Sequence, residues 1–155
     1  MRLNPKLDSV LARLEARFPG EVTRTPTQDQ PTFMVPRDSA LSVFEYLKTD
    51  EGFALLLDVL AVDFFPARPR FELVYHLYHP MDFLRVRLKV KVGEDQPMAS
   101  VTGIWPGANW PEREAYDLYG IVFDGHPHLT RIYLPDDWDG HPLRKDYPTT
   151  GKRSD

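Results

Sequence analysis

The sequence predicts an α+β fold: a mixed, largely antiparallel sheet of about five strands, with two or three helices and an irregular C-terminal segment. Three observations support this prediction. Two long runs alternate apolar and polar residues, as strands with one solvated face do. Two other segments space their apolar residues helically. Six of the 15 prolines lie between residues 105 and 148, where their fixed φ disfavours regular structure.

Composition indicates one globular domain. The chain has 155 residues, 42% of them hydrophobic, so it is long enough for a single core. It has no cysteine, which excludes disulfides, thiolate-held zinc and cysteine-held iron–sulfur clusters as features of this chain. A net charge of -4 argues against nucleic-acid binding. With neither a signal-peptide pattern nor a long apolar run, we expect membrane contact only through a partner.

Two helices are predicted in the first 50 residues. The first begins at Asn4-Pro5, an N-cap followed by proline at the first helical position, and ends at Pro19-Gly20. Its buried face is predicted to hold Leu7, Val10, Leu11, Leu14 and Phe18. The second helix is predicted to be capped by Asp38 or Ser39. Its buried face is predicted to hold Leu41, Phe44 and Leu47.

Five strands are predicted for the sheet: Val22–Thr25, Thr32–Pro36, Leu55–Phe65, Phe71–His79 and Phe83–Val92. The third is expected to be central and mostly buried. Ala99–Ile104 is a further candidate for a short strand. The first two are expected to pair around a polar turn. The fifth alternates an apolar face with a basic face of Arg85, Arg87, Lys89 and Lys91. Such a face can bind phosphates or RNA, but in a negatively charged chain we favour a solvated face or an acidic partner.

Residues 105–148 hold charges, aromatics, histidines, glycines and prolines with almost no apolar periodicity, which indicates a fixed, irregular surface. Within them, Trp110–Tyr119 is predicted to be a helix capped by Asn109. Arg113 and Asp117 would then be one helical turn apart and are expected to pair. The many tryptophans, tyrosines and arginines are typical of a protein–protein docking surface.

Enzyme interpretations of this segment receive little support. Glu112 and Glu114 are two positions apart, so on a helix they point in nearly opposite directions and form no catalytic carboxylate pair. No nucleophile elbow, P-loop or dinucleotide fingerprint is present. A metal enzyme using His126, His128 and His141 remains an alternative, although their spacing matches no specific zinc pattern. We therefore predict no catalytic residue, no metal and no cofactor in this chain.

Several motifs resemble the signature of a known family: Glu112-Arg113-Glu114, Asp117-Leu118-Tyr119-Gly120, Gly125-His126-Pro127, Arg131-Ile132 and the run from Gly140 to Pro148. The family is the 30 kDa subunit, also called the C subunit, of NADH-quinone oxidoreductase, the respiratory complex I. The resemblance covers most of the chain from about Leu55 onward. One difference is Thr130, where the family commonly has a second arginine.

This resemblance implies a non-catalytic, cofactor-free subunit in the peripheral arm of a proton-translocating complex that passes electrons from NADH to quinone. FMN, iron–sulfur clusters and quinone would belong to partner subunits. The chain would pack chiefly against the D subunit of that complex, and also against the B and I subunits, on the cytoplasmic side of the inner membrane. A close alternative is the equivalent subunit of a membrane-bound hydrogenase or of a ferredoxin-dependent complex.

The resemblance also implies that the signature residues serve folding and subunit contacts: Glu112, Arg113, Glu114, Asp117, His126, Arg131, His141, Arg144, Lys145 and Asp146. We predict one domain over residues 1–155, with an α+β core at 1–104 and a docking segment at 105–155. A short form of the 30 kDa subunit, without a fused D subunit, is expected.

Overall fold

The computed structural model describes residues 5–27 and 29–151. Its helices are α1 (Pro5–Arg17), α2 (Arg37–Thr49) and α3 (Asn109–Tyr119), and a short 3-10 turn at Pro106–Ala108 precedes α3. Its strands are β1 (Thr23–Thr25), β2 (Thr32–Met34), β3 (Leu55–Asp63), β4 (Phe71–His79), β5 (Leu84–Val92), β6 (Met98–Ala99) and β7 (Phe123–Asp124). The predicted cap Asn4 lies outside the described residues.

The first five strands form one sheet in the order β1-β2-β5-β4-β3. Only β2 and β5 run parallel, and the other neighbours are antiparallel, so the predicted mixed, largely antiparallel sheet is confirmed. The predicted pairing of the first two strands is also confirmed, at Thr23↔Met34. Strands β6 and β7 form a separate parallel pair beyond the main sheet.

One hydrophobic core lies between the sheet and the helices. Phe44 of α2 packs against Tyr75 of β4 with ring centroids 4.6 Å apart, and it also contacts Trp105, just before α3. The apolar stripe of α1 is buried as predicted. Arg13 of α1 joins the end of α2 by a two-point contact with Glu51, at 2.8 and 2.6 Å. The helices and the sheet thus form two layers. The C-terminal segment continues from α3, the last helix of the helical layer.

The prediction of Leu55–Phe65 as a central, mostly buried strand is wrong. β3 is the edge strand of the sheet and pairs only with β4. Four of its apolar side chains are exposed: Leu55, Leu57, Leu60 and Val62. A continuous apolar run predicts a strand but does not say how deep in the sheet the strand lies.

The predicted caps of α2 and α3 are also wrong. α2 follows Pro36 and begins at Arg37, and no side chain caps it. α3 begins at Asn109 itself, because the preceding 3-10 turn runs directly into the helix. The predicted strand Ala99–Ile104 shortens to β6, since a turn at 102–104 carries the chain back towards α3.

Candidate functional site

Asp117, near the end of α3, organises the chain that follows the helix. Its side chain is fully buried. One oxygen, Oδ2, accepts hydrogen bonds from three consecutive backbone amides: Ile132 at 3.0 Å, Tyr133 at 2.7 Å and Leu134 at 3.1 Å. The other oxygen lies 2.6 Å from Nη1 of Arg131. Because a buried charge needs partners, these donors fold the loop around a single anion.

Arg131 extends this arrangement along the C-terminal segment. Its Nη1 also donates to the carbonyl oxygen of Asp117 at 3.1 Å. Its Nη2 donates to the carbonyl oxygens of Trp138 at 2.9 Å and Gly140 at 3.0 Å. A guanidinium has five N–H donors in a fixed plane, so one side chain can hold several carbonyls at once. Arg131 therefore ties the last turn of α3 to the segment at 138–140.

The segment then crosses the end of α3 at Gly120, which has a left-handed φ of 76°. A Cβ at this position would lie 2.6 Å from the His141 ring and 2.7 Å from the Arg144 guanidinium. His141 Nδ1 lies 2.8 Å from the carbonyl oxygen of Asp117, so this nitrogen carries the proton. Burial lowers the pKa of His141, which favours the neutral ring. Both the backbone conformation and the close contact require glycine here.

Arg144 fixes the next part of the segment to the main sheet. Its Nε donates to the carbonyl oxygen of Tyr119 at 2.6 Å, and its Nη1 donates to Glu94 at 2.8 Å. The same Glu94 oxygen accepts from Arg70 at 3.1 Å. Both guanidinium groups lie over the Phe71 ring, at 5.4 and 5.2 Å from its centroid. The Glu94 carboxylate therefore bridges two guanidinium groups that both lie over the Phe71 ring.

Arg70 and Asp63 form a two-point ion pair whose side chains are only 3% and 2% exposed. The Asp63 carboxylate also accepts the backbone amides of Lys145 and Phe65, both at 2.9 Å. Asp146 contacts Arg70 from the solvent side. Burial disfavours the charged carboxylate, but the Arg70 guanidinium and the two amides outweigh it and lower the pKa of Asp63 to about 2.

Glu112 anchors the other end of α3. It is fully buried, and it accepts hydrogen bonds from the Ser100 hydroxyl at 2.6 Å and the Val101 amide at 2.7 Å. The buried ring of His126 lies 4.0 Å away. Burial raises the pKa of Glu112 to about 7, although the two donors act in the opposite direction. Burial, together with the Glu112 charge, also raises the pKa of the nearby Tyr75 hydroxyl.

The predicted pairing of Arg113 with Asp117 is wrong. Arg113 donates to the carbonyl oxygens of Thr130 at 3.1 Å and Arg131 at 2.9 Å, and to the Thr130 hydroxyl at 3.1 Å. Its guanidinium also lies 5.1 Å from the Trp110 ring centroid. Asp117 instead accepts hydrogen bonds from Arg131 and from three loop amides, which together offer more donors than Arg113 alone. Thr130, the position of the family's second arginine, thus contributes a hydroxyl acceptor.

The three histidines considered as metal ligands do not converge. His126 Nε2 lies 3.1 Å from the carbonyl oxygen of Asn109, at the start of α3. His141 contacts the carbonyl of Asp117, near its end. These two carbonyls are about 12 Å apart along the helix axis, from 1.5 Å of rise per residue. Across residues 5–27 and 29–151, no group of three or more His, Cys, Asp or Glu side chains could hold a metal ion.

The remaining predicted residues lie at the surface. Glu114, Lys145 and Asp146 are exposed, although the Lys145 amide and the Asp146 carboxylate join the Asp63–Arg70 pair. Sequence reasoning missed four partners that complete the buried contacts: Asp63, Arg70, Glu94 and Ser100. Asp63 and Arg70 flank apolar runs, which is a weak sign of burial, but nothing in the sequence indicates what they contact.

Five large apolar side chains of the described part of this segment are exposed: Trp110, Val122, Tyr133, Trp138 and Leu143. We call four of them, Trp110, Tyr133, Trp138 and Leu143, the C-terminal docking surface. Trp110 and Tyr133 are 62% and 64% exposed. The Trp110 ring lies against the Arg113 guanidinium. The backbones of the other three are hydrogen-bonded to Asp117, Arg131 and Leu118, respectively. Tryptophan and tyrosine are enriched at protein–protein binding hot spots, so these exposed side chains are candidates for contacts with another protein.

Comparison with known proteins decides the family. Residues 33–153 match the family described as the 30 Kd subunit of respiratory-chain NADH dehydrogenase. The chain belongs to this family. Its members include the C subunit of NADH-quinone oxidoreductase from Azorhizobium caulinodans, which is 43% identical over 152 residues, or 96% of this chain and 72% of the relative. The C subunit from Rhizobium rhizogenes is 50% identical over 117 residues, or 74% of this chain and 58% of the relative.

A solved structure of lower identity shares the fold of this family member. It comes from the membrane-bound sulfane sulfur reductase, an archaeal respiratory membrane complex. The TM-score is 0.79 at 26% sequence identity, and the match covers 93% of this chain and 86% of the other. The fold of the 30 kDa subunit family therefore also occurs in a respiratory complex with a different name.

Proposed function

We propose that the chain is a non-catalytic, cofactor-free peripheral-arm subunit of a proton-translocating NADH:quinone oxidoreductase. Its role is to hold neighbouring subunits in place while electrons pass from NADH to quinone. FMN, iron–sulfur clusters and quinone are assigned to the partner subunits. The lack of cysteine supports this for the clusters, since cysteine thiolates are their usual ligands.

One observation carries the proposal. In this chain, the family's signature residues bind one another and the backbone. The C-terminal docking surface projects from the structure that these contacts hold in place. Asp117 alone accepts three amides and one guanidinium. Such an arrangement pre-organises aromatic side chains, which reduces the entropy lost when a partner binds. The signature residues thus support an interface from beneath it.

The partner proposed for this surface is chiefly the D subunit, with the B and I subunits as further neighbours. Exposed tryptophan and tyrosine favour a partner that offers apolar pockets rather than a strongly charged groove. Within the described residues, no helix is both long and apolar enough to cross a membrane. From its membership of the 30 kDa subunit family, we propose that the chain lies on the cytoplasmic side of the inner membrane and reaches it through the complex.

The test is recovery of the assembled complex. A tagged chain expressed in its host is isolated from solubilised membranes, and the recovered subunits and cofactors are identified. We expect the D subunit together with flavin- and iron–sulfur-bearing subunits. Recovery without any of these would contradict the proposal.

A double variant tests the surface itself. Trp110→Ala with Tyr133→Ala removes two exposed rings and is expected to lower the recovered amount of the D subunit at unchanged chain level. Met81→Ala is the matched control, because Met81 is 81% exposed on the turn between β4 and β5. Equal recovery from the double variant and the control would place the interface elsewhere.

A second candidate is the equivalent subunit of a related membrane complex, favoured by the structural match to the sulfane sulfur reductase. The same recovery experiment separates the two. A flavin-bearing, NADH-oxidising partner supports the first proposal, whereas a hydrogenase or ferredoxin-fed partner supports the second.

A further inference from the structure

The main sheet has a second face, on the side away from the hydrophobic core. Side chains alternate between faces along a strand, so Leu73 and Tyr75 of β4 point into the core and Val74 points the other way. Val74 is only 7% exposed, yet it is not part of the core cluster. Phe44, which packs on Tyr75, shows that the helical layer lies on the core side. We call the opposite side the outer face.

An apolar row lies on the outer face along β3. The β3–β4 register pairs Leu60 with Val74 and Val62 with Glu72, so both β3 side chains share a face with Val74. Leu60 is 46% exposed and Val62 is 39% exposed. Exposed apolar side chains grouped in this way are typical of a contact surface. The row is separate in the chain from the C-terminal docking surface, whose residues lie on α3 and in the segment that follows it.

A basic row lies on the same face along β5. The β4–β5 register pairs Val74 with Lys89 and Glu72 with Lys91, so the alternating cations of β5 lie on the outer face. Lys89 is paired with Glu72 at 2.8 Å, and Arg87 is paired at 2.6 Å with Asp29, in the loop between β1 and β2. These two cations are already neutralised within the chain.

The two ends of the basic row differ from its middle. Arg85 and Lys91 are exposed, and neither forms a salt bridge within residues 5–27 and 29–151. The Arg85 guanidinium lies over the Tyr78 ring, 5.7 Å from its centroid, which leaves its charge without a carboxylate. The outer face thus offers two cations without a carboxylate partner in a chain whose net charge is -4. It also carries Asp58 on β3, paired in register with His76, so the cations lie on the β5 side of this face and the carboxylate on the β3 side.

The spacing of the two rows matches the width of a helix. Neighbouring strands are about 4.8 Å apart, so β3 and β5, which flank β4, are roughly 10 Å apart. An α-helix with its side chains is about 10–12 Å wide. A helix that runs along β4 and rests its apolar stripe on Leu60, Val62 and Val74 brings one flank over Lys91, because Lys91 is paired in register with Glu72 and Glu72 with Val62. Continued along the strands for about 20 Å, six residues at about 3.3 Å each, the same flank reaches Arg85. Carboxylates on that flank would neutralise both cations.

We propose that the outer face is a docking site for an acidic amphipathic helix of a partner protein. A second copy of this chain fits poorly, because face-to-face packing would set cations against cations or against the apolar row. Nucleic acid fits poorly as well, since the apolar row would stay exposed. The site is distinct from the C-terminal docking surface, and the inference does not depend on which complex contains the chain.

Photo-crosslinking in the intact complex tests the occupant. The full-length chain carries a photoreactive phenylalanine analogue at position 60, and the control carries it at Glu45, an exposed residue of α2. After irradiation of host membranes, crosslinked peptides are sequenced by mass spectrometry. We expect position 60 to crosslink to a partner segment with apolar residues at three- and four-residue spacing and carboxylates on one flank. Crosslinks to lipid, to a second copy or to a segment without carboxylates, or no crosslink at all, would overturn the proposal.

A charge-swap experiment tests the recognition. Arg85→Glu with Lys91→Glu is expected to lower the crosslink yield from position 60 about tenfold, as like charges replace opposite ones. Changing the carboxylates of the identified segment to lysine should restore it. Both positions are exposed, and the thermal midpoint of the variant verifies that it folds. An unchanged yield would contradict the proposal. If flavin- and iron–sulfur-bearing subunits are still recovered, the proposed function survives that failure.

Discussion

Asp117 and Arg131 are 14 residues apart in sequence and meet as an ion pair of 2.6 Å between Oδ1 and Nη1. Asp117 is fully buried, and its second oxygen holds three amides of the loop that follows Arg131. Burial disfavours the charged form, but the arginine and the amides outweigh it and lower the pKa of Asp117. The pair therefore keeps its charge at neutral pH and fixes the chain after α3.

Replacing this carboxylate should loosen the C-terminal segment. Asp117→Ala leaves Arg131 and three amides without their acceptor, and removing one partner of a buried ion pair costs about 3–5 kcal/mol. Denaturant unfolding of the purified chain should show this loss. Amide hydrogen exchange should accelerate at Ile132, Tyr133 and Leu134. Asp136→Asn, an exposed change in the same segment, is the control, and equal stability of the two variants would contradict the assigned role.

Alanine substitutions at Gly120 and Gly125 distinguish the cost of backbone strain from the cost of steric contact. Both have left-handed φ, 76° and 81°, but a Cβ meets nothing within 4 Å at Gly125. Gly125→Ala should therefore lose only about 1 kcal/mol of unfolding free energy. Gly120→Ala also displaces His141 and Arg144, so we expect about 2–4 kcal/mol. Similar losses in denaturant unfolding would mean that the segment moves aside without cost.

Local periodicity predicts the elements whose signal is complete within the element. The buried stripe of α1 and the alternation in β5 follow from spacing alone, because the period of burial shows within each element. β4 has the predicted bounds, Phe71–His79, but its burial does not alternate. The position of β3 in the sheet does not follow from spacing, since strand order depends on pairings that no single segment specifies. Its exposed apolar residues have the same pattern as a buried strand.

The candidate site also has a part that the sequence predicts and a part that it does not. The motifs indicate that Glu112, Asp117 and Arg131 are important, but their partners cannot be predicted from them. Arg70 and Asp146 are 76 residues apart, and only the completed sheet and the crossing C-terminal segment bring them together. The expected Arg113–Asp117 contact is the most local choice. In its place, Asp117 accepts hydrogen bonds from Arg131 and from three loop amides that lie further along the chain.

The buried Asp63–Arg70 pair should make the chain sensitive to acid. The folded pKa of Asp63 is about 2, below its ordinary 3.8, so its stabilisation is complete above pH 4 and is lost as pH falls from about 4 towards 2. Arg70→Met leaves a buried, unpaired carboxylate and should cost about 3–5 kcal/mol at pH 7. Because the pKa of Asp63 is then no longer depressed, the variant should lose less further stability on acidification.

Unfolding midpoints in denaturant at pH 7, 4 and 3 measure both effects. Arg68→Met, an exposed change two residues away, should follow the wild type at every pH. A constant difference between Arg70→Met and wild type from pH 7 to 3 would show that the ion pair does not control the acid response.

Glu112 should give the opposite pH dependence. Its folded pKa is about 7, above the ordinary 4.5, so the folded chain binds the proton more tightly than the unfolded chain. This stabilisation is complete below pH 4.5 and is lost as pH rises to about 7. Glu112→Gln keeps a neutral group of the same shape at every pH. Relative to wild type, it should therefore gain on the order of 3 kcal/mol between pH 4.5 and 8.

The measurement is the difference in unfolding free energy between Glu112→Gln and wild type across that range. Taking the difference removes the shared contribution of His76 and His141, whose pKa values are lowered by burial and which act in the opposite direction. Glu114→Gln, an exposed change on the same helix, should show a difference independent of pH. If Glu112→Gln also shows no pH dependence, Glu112 has an ordinary pKa, and its hydrogen bonds to Ser100 and Val101 cancel the effect of burial.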